Sequence, residues 1–356
     1  MALEFIDSMS HSGTATAQIE VARKWTTYQD AFYASTPNRR AGQVVIALGT
    51  ISKTLSYQNN RTCGCAYYFP NSASIAQGLI EFGAGNQQLA YVSIELDRTL
   101  SIYTGVNNIR IWNSGSSFVL TTDVFHYFEF QVQSGGGSPV SVTCSLMVDG
   151  SSLINLVSGN TGVNANQLLS GTNQMNTVTI NGPVGGSFTS YVCDLYVLNS
   201  NSTDINGFPT SNTTFLGDVS VDALIPIQDV TVQWQQQPSS PSGSYLLVDE
   251  IPPDDDTTYV FTDTVGQVET FKFQQLVGFT GTIFGAQLLL YAKKDAEGSR
   301  SIAGLVGGNV VNNLYGNQSY LYDYYDYFIY PLDSDNGTAW TPAVYNAENF
   351  GAKLSA

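Results

Sequence analysis

Charge is what this sequence has least of. Asp, Glu, Lys and Arg make up 12% of its 356 residues, against 43% hydrophobic, so Ser, Thr, Asn and Gln must carry much of the solvation. The few charges are one-sided, with 13 basic and 29 acidic side chains and a net charge of −16. A surface of that sign does not neutralise phosphates, and an anionic lipid surface repels it, so a nucleic-acid partner is not expected. No apolar run approaches the roughly 18 residues that cross a bilayer, so no membrane insertion is expected. The opening MALEFIDSMSHSG has neither a basic n-region nor an apolar h-region. It reads as no signal peptide and predicts synthesis in a cytosol.

Reactive side chains are scarce too. The chain has 4 cysteines and 2 histidines. Cys63 and Cys65, two apart in RTCGCAYYF, sit near the upper limit of Cα separation for a disulfide if the segment is extended. C-x-C is not the usual zinc spacing, and His11 and His126 are the only imidazoles. Cys63, Cys65, Cys144 and Cys193 therefore read as reduced, partly buried thiols on strands. No G-x-S-x-G elbow, P-loop, H-E-x-x-H or C-x₂-C occurs, and two histidines offer little for a Ser-His-Asp arrangement. Glu95-Leu96-Asp97 matches the start of the acidic strand of laminarinase-type glycosidases. Retaining hydrolysis needs two carboxylates about 5–5.5 Å apart. The second glutamate of that pattern is missing, since positions 99 and 100 are Thr and Leu. The chain is therefore expected not to be an enzyme, with a glycan hydrolase as the least favoured reading.

What is present is β-rich: 33 Gly, 21 Tyr and 18 Phe, with β-branched and aromatic residues suited to a pleated, half-buried surface. AGQVVIALG, CGCAYYF, LAYVSIELD, LSIYTG, IRIWN, SFVLTT, FHYFEFQVQ, SVTCSLMVDG, NTVTING and YVCDLYVLN are short and strand-like, separated by Gly, Asn and Ser. A helical turn is expected at Asn164–Leu169. In FHYFEFQVQ, Phe128, Phe130 and Val132 alternate with Tyr127, Glu129 and Gln131. In YVSIELD, Val92, Ile94 and Leu96 alternate with Ser93, Glu95 and Asp97. Both patterns predict one buried and one wet face. Asp149-Gly150 signals a hairpin turn. The expectation is an all-β chain: an N-terminal sandwich over 1–205, a linker over 206–244, and a smaller β-sandwich over 245–356. Charge supports a boundary, because residues 1–215 carry 8 basic and 12 acidic side chains while 216–356 carry 5 and 17. The low-complexity Gln235–Ser244 stretch reads as a hinge.

Three groups of residues are candidate sites. Asp254, Asp255 and Asp256, in VDEIPPDDDTTYV, could offer hard oxygen ligands to Ca²⁺, although EF-hand spacing is absent. Tyr320, Tyr322 and Tyr324 share one face of SYLYDYYDYFIY and could meet a sugar or a partner, as could an exposed Trp112 in IRIWNSG. The competing reading of the tyrosines is an ordinary strand with aromatic cross-strand pairs.

The order of phrases carries a resemblance. FIDSMSH and ARKW near the start, FHYFEFQV followed by a strand ending in VDG, CDLYVLNSNSTDINGF, FLGDVSVDALIP, LLVDEIPPDDDTTYV, KKDAEGSRSIAG and the closing DSDNGTAWTPAVYNAENFGAKL resemble a family of tailed-bacteriophage and prophage structural proteins. The resemblance implies a concanavalin A/laminin-G-like jelly roll followed by a phage β module opening on FLGDV. It makes FLGDVSVDALIP a connecting strand. It implies a non-enzymatic virion protein, assembled in the host cytoplasm. Such a protein would be a tail, baseplate or fibre component that adheres to a host-surface glycan, or else a capsid decoration protein. Other virion proteins and further copies of this chain are its implied partners. Tail fibres often begin with a virion-anchoring segment; here the jelly roll is expected to start within the first few residues, and attachment is expected to use a folded surface or the C-terminal module.

Overall fold

In the computed structural model the described residues are 2–8, 25–29, 32–34, 37–40, 45–71, 76–85, 87–105, 107–137, 139–162, 174–182, 190–200, 215–239, 242–251, 253–295, 300–310, 323–330 and 339–355. The expected turn at 164–169 lies outside them. They fall into two units, one running from Leu3 to Asp222 and the other from Ala223 on. Among them no helix is long and apolar enough to cross a membrane.

The first unit is a sandwich of two antiparallel sheets. Its strands are β1 (Ala2–Asp7), β2 (Thr27–Gln29), β3 (Phe32–Ala34), β4 (Val45–Leu48), β5 (Thr50–Gln58), β6 (Asn60–Tyr68), β7 (Gln77–Ala84), β8 (Gln87–Ile94), β9 (Leu100–Thr104), β10 (Ile109–Asn113), β11 (Phe125–Ser134), β12 (Ser141–Val148), β13 (Ser151–Asn160), β14 (Met175–Asn181) and β15 (Ser190–Asn199). Sheet I runs β13-β12-β11-β6-β15-β4-β3, with β1 also on β15, and sheet II runs β10-β9-β8-β7-β14-β5-β2. Neighbours far apart in sequence, such as β6 between β11 and β15, give the jelly-roll crossing expected of this all-β chain. The core lies between the sheets: Cys63, Cys65, Phe128, Phe130 and Val132 of sheet I face Phe82, Val92, Ile102 and Val178 of sheet II, all fully buried. Phe82 stacks on Phe130 with centroids 6.0 Å apart. Asp149 (φ 50°) and Gly150 (φ 73°) make the predicted tight turn from β12 to β13.

Two alternation readings need correction. Tyr127, Glu129 and Gln131 are buried as well, Tyr127 beneath Arg39 and Glu129 against Gly217. Leu96 is 69% exposed: β8 stops at Ile94, and the following residues turn back into β9.

The second unit holds β16 (Pro226–Val232), β17 (Gln235–Gln237), β18 (Tyr259–Phe261), β19 (Val268–Phe273), β20 (Ala286–Ala292), β21 (Ser301–Val306), β22 (Asn309–Val310), β23 (Asp323–Tyr330), α1 (Pro342–Ala347) and β24 (Phe350–Ser355). A five-stranded sheet runs β16-β19-β24-β21-β22, and β17-β18 and β20-β23 form separate ribbons. Thr341 caps α1 by accepting from Val344 N at 3.2 Å, and Pro342 opens the helix. This places Trp340 and Tyr345 on Leu288, Val306 and Phe350 as a small core.

The expected linker over 206–244 is mostly something else. Pro226–Val232 is an edge strand of the second sheet, and Gln235–Gln237 pairs with Tyr259–Phe261. Ser244–Leu247, where the linker is expected to give way to the second sandwich, is a 3₁₀ turn. FLGDVSVDALIP is not a connecting strand either: residues 215–225 have no ladder partner, and pairing begins only at Pro226. Residues 215–222 belong to the first unit.

Candidate functional site

A sandwich offers two outer faces to a ligand, and in this one they differ. The outer face of sheet I is occupied by its own chain. Arg39 lies over the Tyr127 ring at 5.1 Å, and Glu129 accepts Gly217 N at 2.8 Å. The outer face of sheet II is half-open. Tyr91, Tyr103, Glu81 and Thr179 are half-buried and Arg110 is exposed, while their strand neighbours Val92, Ile102 and Val178 are fully buried in the core.

Strand register aligns these outward residues. Arg110 is opposite Tyr103, Tyr103 opposite Tyr91, Tyr91 opposite Glu81, Glu81 opposite Thr179, and Thr179 opposite Ser52. Six strands are crossed in one line, which at about 4.8 Å per strand is roughly 24 Å. A parallel line of small polar residues runs beside it: Asn113, Ser101, Ser93 and Gly78. A Cβ on Gly78 would make ordinary van der Waals contact with Tyr91 Cδ2 at 3.7 Å and Asn181 Nδ2 at 3.6 Å, so this position lies directly beside the Tyr91 ring.

The row is wired by hydrogen bonds. Tyr103 Oη donates to Glu95 Oε1 at 2.8 Å, Gln88 Nε2 donates to Glu81 Oε2 at 2.7 Å, and Asn113 Nδ2 donates to Ser101 Oγ at 2.8 Å. Burial pushes the Tyr91 hydroxyl up to about 12, helped by Tyr103, Glu81 and Glu95 nearby. Burial, then Glu95, raises Tyr103 as well. Both phenols stay protonated at neutral pH and act as neutral donors. Burial also raises Glu81, although Gln88 and Asn181 bond to its carboxyl.

The residues singled out from sequence do not assemble here. Trp112 is on β10, but a register shift between Arg110 and Trp112 sets it opposite core-facing Ile102, and it is half-buried rather than exposed. Plain alternation would have put Arg110 and Trp112 on one face; the bulge breaks that pattern. Tyr320 and Tyr322 lie outside the described residues, and Tyr324 pairs with Tyr291 in the β20–β23 ribbon. Asp254, Asp255 and Asp256 turn to three different partners: Thr258, Tyr291 and Lys293. Among the described residues no three His, Cys, Asp or Glu side chains gather as metal donors. Glu95 and Asp97 also part company, since Asp97 bonds Thr99 Oγ1 at 2.7 Å within its own turn. Sequence reading missed Tyr91, Tyr103, Glu81 and Arg110 because the signal is cross-strand register, which no single segment carries.

No family model and no curated protein matches this chain. Solved structures similar to it include the alginate lyase Aly36B (12% identity, 56% of this chain and 99% of that one, TM-score 0.39). Another is the marine alginate lyase from Aplysia kurodai (12%, 56% and 100%, TM-score 0.35). A third is endo-β-1,4-glucuronan lyase from the fungus Trichoderma reesei (10%, 56% and 97%, TM-score 0.33). A likeness at this level concerns the β-sandwich fold alone. Their names describe polysaccharide lyases and none names a phage protein, so the expectation of a phage tail, fibre or decoration protein finds no support here and is withdrawn.

Proposed function

We propose that the first unit is a saccharide-binding module whose ligand lies across sheet II along Arg110, Tyr103, Tyr91, Glu81, Thr179 and Ser52. The observation that carries this reading is the unbroken cross-strand row of outward aromatic and polar side chains on the one face its own chain leaves half-open. Sugars need donors and acceptors at close intervals together with apolar ring surface for their C–H faces, and the row supplies both. The ligand class is a neutral glycan. The chain carries a net charge of −16, Glu81 lies in the row and Glu95 beside it, and Arg110 is the row's single cation, so a polyanion would be repelled. Both tyrosines are protonated donors and Glu81, the one carboxyl in the row, is held by Gln88, so the row is read as a binding surface rather than a catalytic one.

The test is calorimetric titration of the full chain with neutral β-glucan, xylan and mannan, and with alginate as the polyanion, alongside a Tyr91→Ala/Tyr103→Ala variant. Saturable binding of a neutral glycan, lost in the variant, is expected. Binding of alginate alone, or binding unchanged in the variant, overturns the reading. Release of reducing or unsaturated ends from any of these glycans would overturn the assignment as a binder without catalysis.

A further inference from the structure

Residues 215–222 cross the outer face of sheet I without joining it, and side chains of the unit take the place of a strand ladder. Tyr196 Oη receives Leu216 N at 3.2 Å, Glu129 receives Gly217 N at 2.8 Å and Asp194 receives Val221 N at 2.8 Å. In the other direction Arg39 donates to Val219 O at 3.1 Å and Arg40 to Val221 O at 3.3 Å. Along the segment Asp218, Ser220 and Asp222 are exposed while Gly217, Val219 and Val221 are half-buried. The two exposed acids are held from outside, Asp218 by Arg39 and Asp222 by Arg40. Beneath both arginines sits Asp194, fully buried, which pairs with each of them.

This is the anatomy of a peptide-recognition groove. It reads the main chain of an extended segment through fixed side-chain donors and acceptors. It also reads two acids, four residues apart, through an arginine pair braced from below. None of these contacts requires that the segment come from the same chain. Residues 200–214 separate β15 from the segment in sequence, and fifteen residues can reach about 50 Å when extended.

We propose that this groove also accepts residues 215–222 of a second copy, so that two copies associate by exchanging the segment. The charge pattern selects that occupant: the arginine pair matches Asp218 and Asp222, and each copy carries one groove and one matching segment.

Two variants separate the parts. The segment variant Asp218→Ala/Asp222→Ala leaves Arg39 and Arg40 paired with Asp194, so its fold should persist. The groove variant Arg39→Ala/Arg40→Ala carries Asp194→Asn as well, to avoid a buried unpaired carboxylate. Light scattering on each alone should give a monomer mass, and a mixture should give a doubled mass with one copy of each. A labelled FLGDVSVDA peptide should bind the segment variant saturably. Its affinity should fall at least tenfold when both acids become Asn or when salt is raised. A mixture that stays monomeric overturns the exchange. Peptide binding without the mixed dimer confines the groove to its own chain and overturns it equally. Failure of the folded segment variant to bind the peptide overturns the groove itself.

Discussion

Tyr91 and Tyr103 stack across β8 and β9 with ring centroids 5.1 Å apart and planes inclined by 11°. Stacked this way, each ring shields one face of the other and leaves one face open, and the Tyr103 hydroxyl donates to Glu95. Tyr103→Phe keeps the stack and deletes the donor to Glu95. It should weaken glycan affinity by about 3- to 10-fold, the worth of one neutral hydrogen bond. Tyr91→Ala should weaken it further, through lost ring contact. Titration of both variants checks the order; an unaffected Tyr91→Ala would remove the row from the site.

Gly64 faces Tyr196 and Glu129 on sheet I, and a Cβ there would overlap the Tyr196 ring. Gly64→Ala should cost about 1–3 kcal/mol as an overpacked position. Urea denaturation measures it, and a loss of under about 0.5 kcal/mol, the range of a neutral surface change, would show that Tyr196 has room to move.

Asp194 is fully buried in β15 at φ 54° and pairs with both Arg39 and Arg40. Removing one partner from a buried charge network costs about 3–5 kcal/mol, which is the loss expected for Asp194→Ala. Asp194→Asn should lose less, because Asn tolerates a positive φ and its amide oxygen can still accept Val221 N. Equal losses would mean that only the charge matters there.

Burial raises the Glu129 carboxyl, and Tyr196 with the Gly217 and Leu216 amides only partly offsets it. The folded chain therefore holds this proton more tightly than the unfolded chain. The resulting stabilisation is complete below the ordinary glutamate range and is lost as pH rises through the window up to the raised folded value. Thermal melts across that window should slope downward with pH, and Glu129→Gln should flatten the slope. An identical slope in the variant would assign the effect elsewhere.

All four cysteines are free and buried, and burial pushes Cys144 up to about 12. Native protein should resist alkylation at neutral pH and react at all four thiols once unfolded. Labelling of any thiol at the unfolded rate under native conditions would reveal local opening of that strand.

The all-β class, the Asp149-Gly150 turn and the inward set of β11 were legible in sequence because each is a local pattern of period two or of turn residues. The fate of Tyr127 and Glu129 was not. Whether the second face of a strand is wet depends on what crosses it, and what crosses it comes from residues 39–40 and 215–222. FLGDVSVDALIP shows the same limit from the other side. Its alternation of exposed acids and half-buried valines is real, but alternation marks extended backbone, and only partners make it a strand. The sheet II row was illegible for a third reason: its members come from β5, β7, β8, β9, β10 and β14, and register joins them.

Because the segment across sheet I is held by its amides as much as by its acids, its tolerance to substitution should follow backbone chemistry. Proline at 216, 217 or 221 would each delete a donated N–H. Gly217, at φ 85°, further excludes most other residues. Valines 219 and 221, by contrast, should accept many extended-favouring replacements. Variation along this stretch is thus rationed by position in the main chain, and a randomised library would keep Gly217, Asp218 and Asp222 while the letters between them drift.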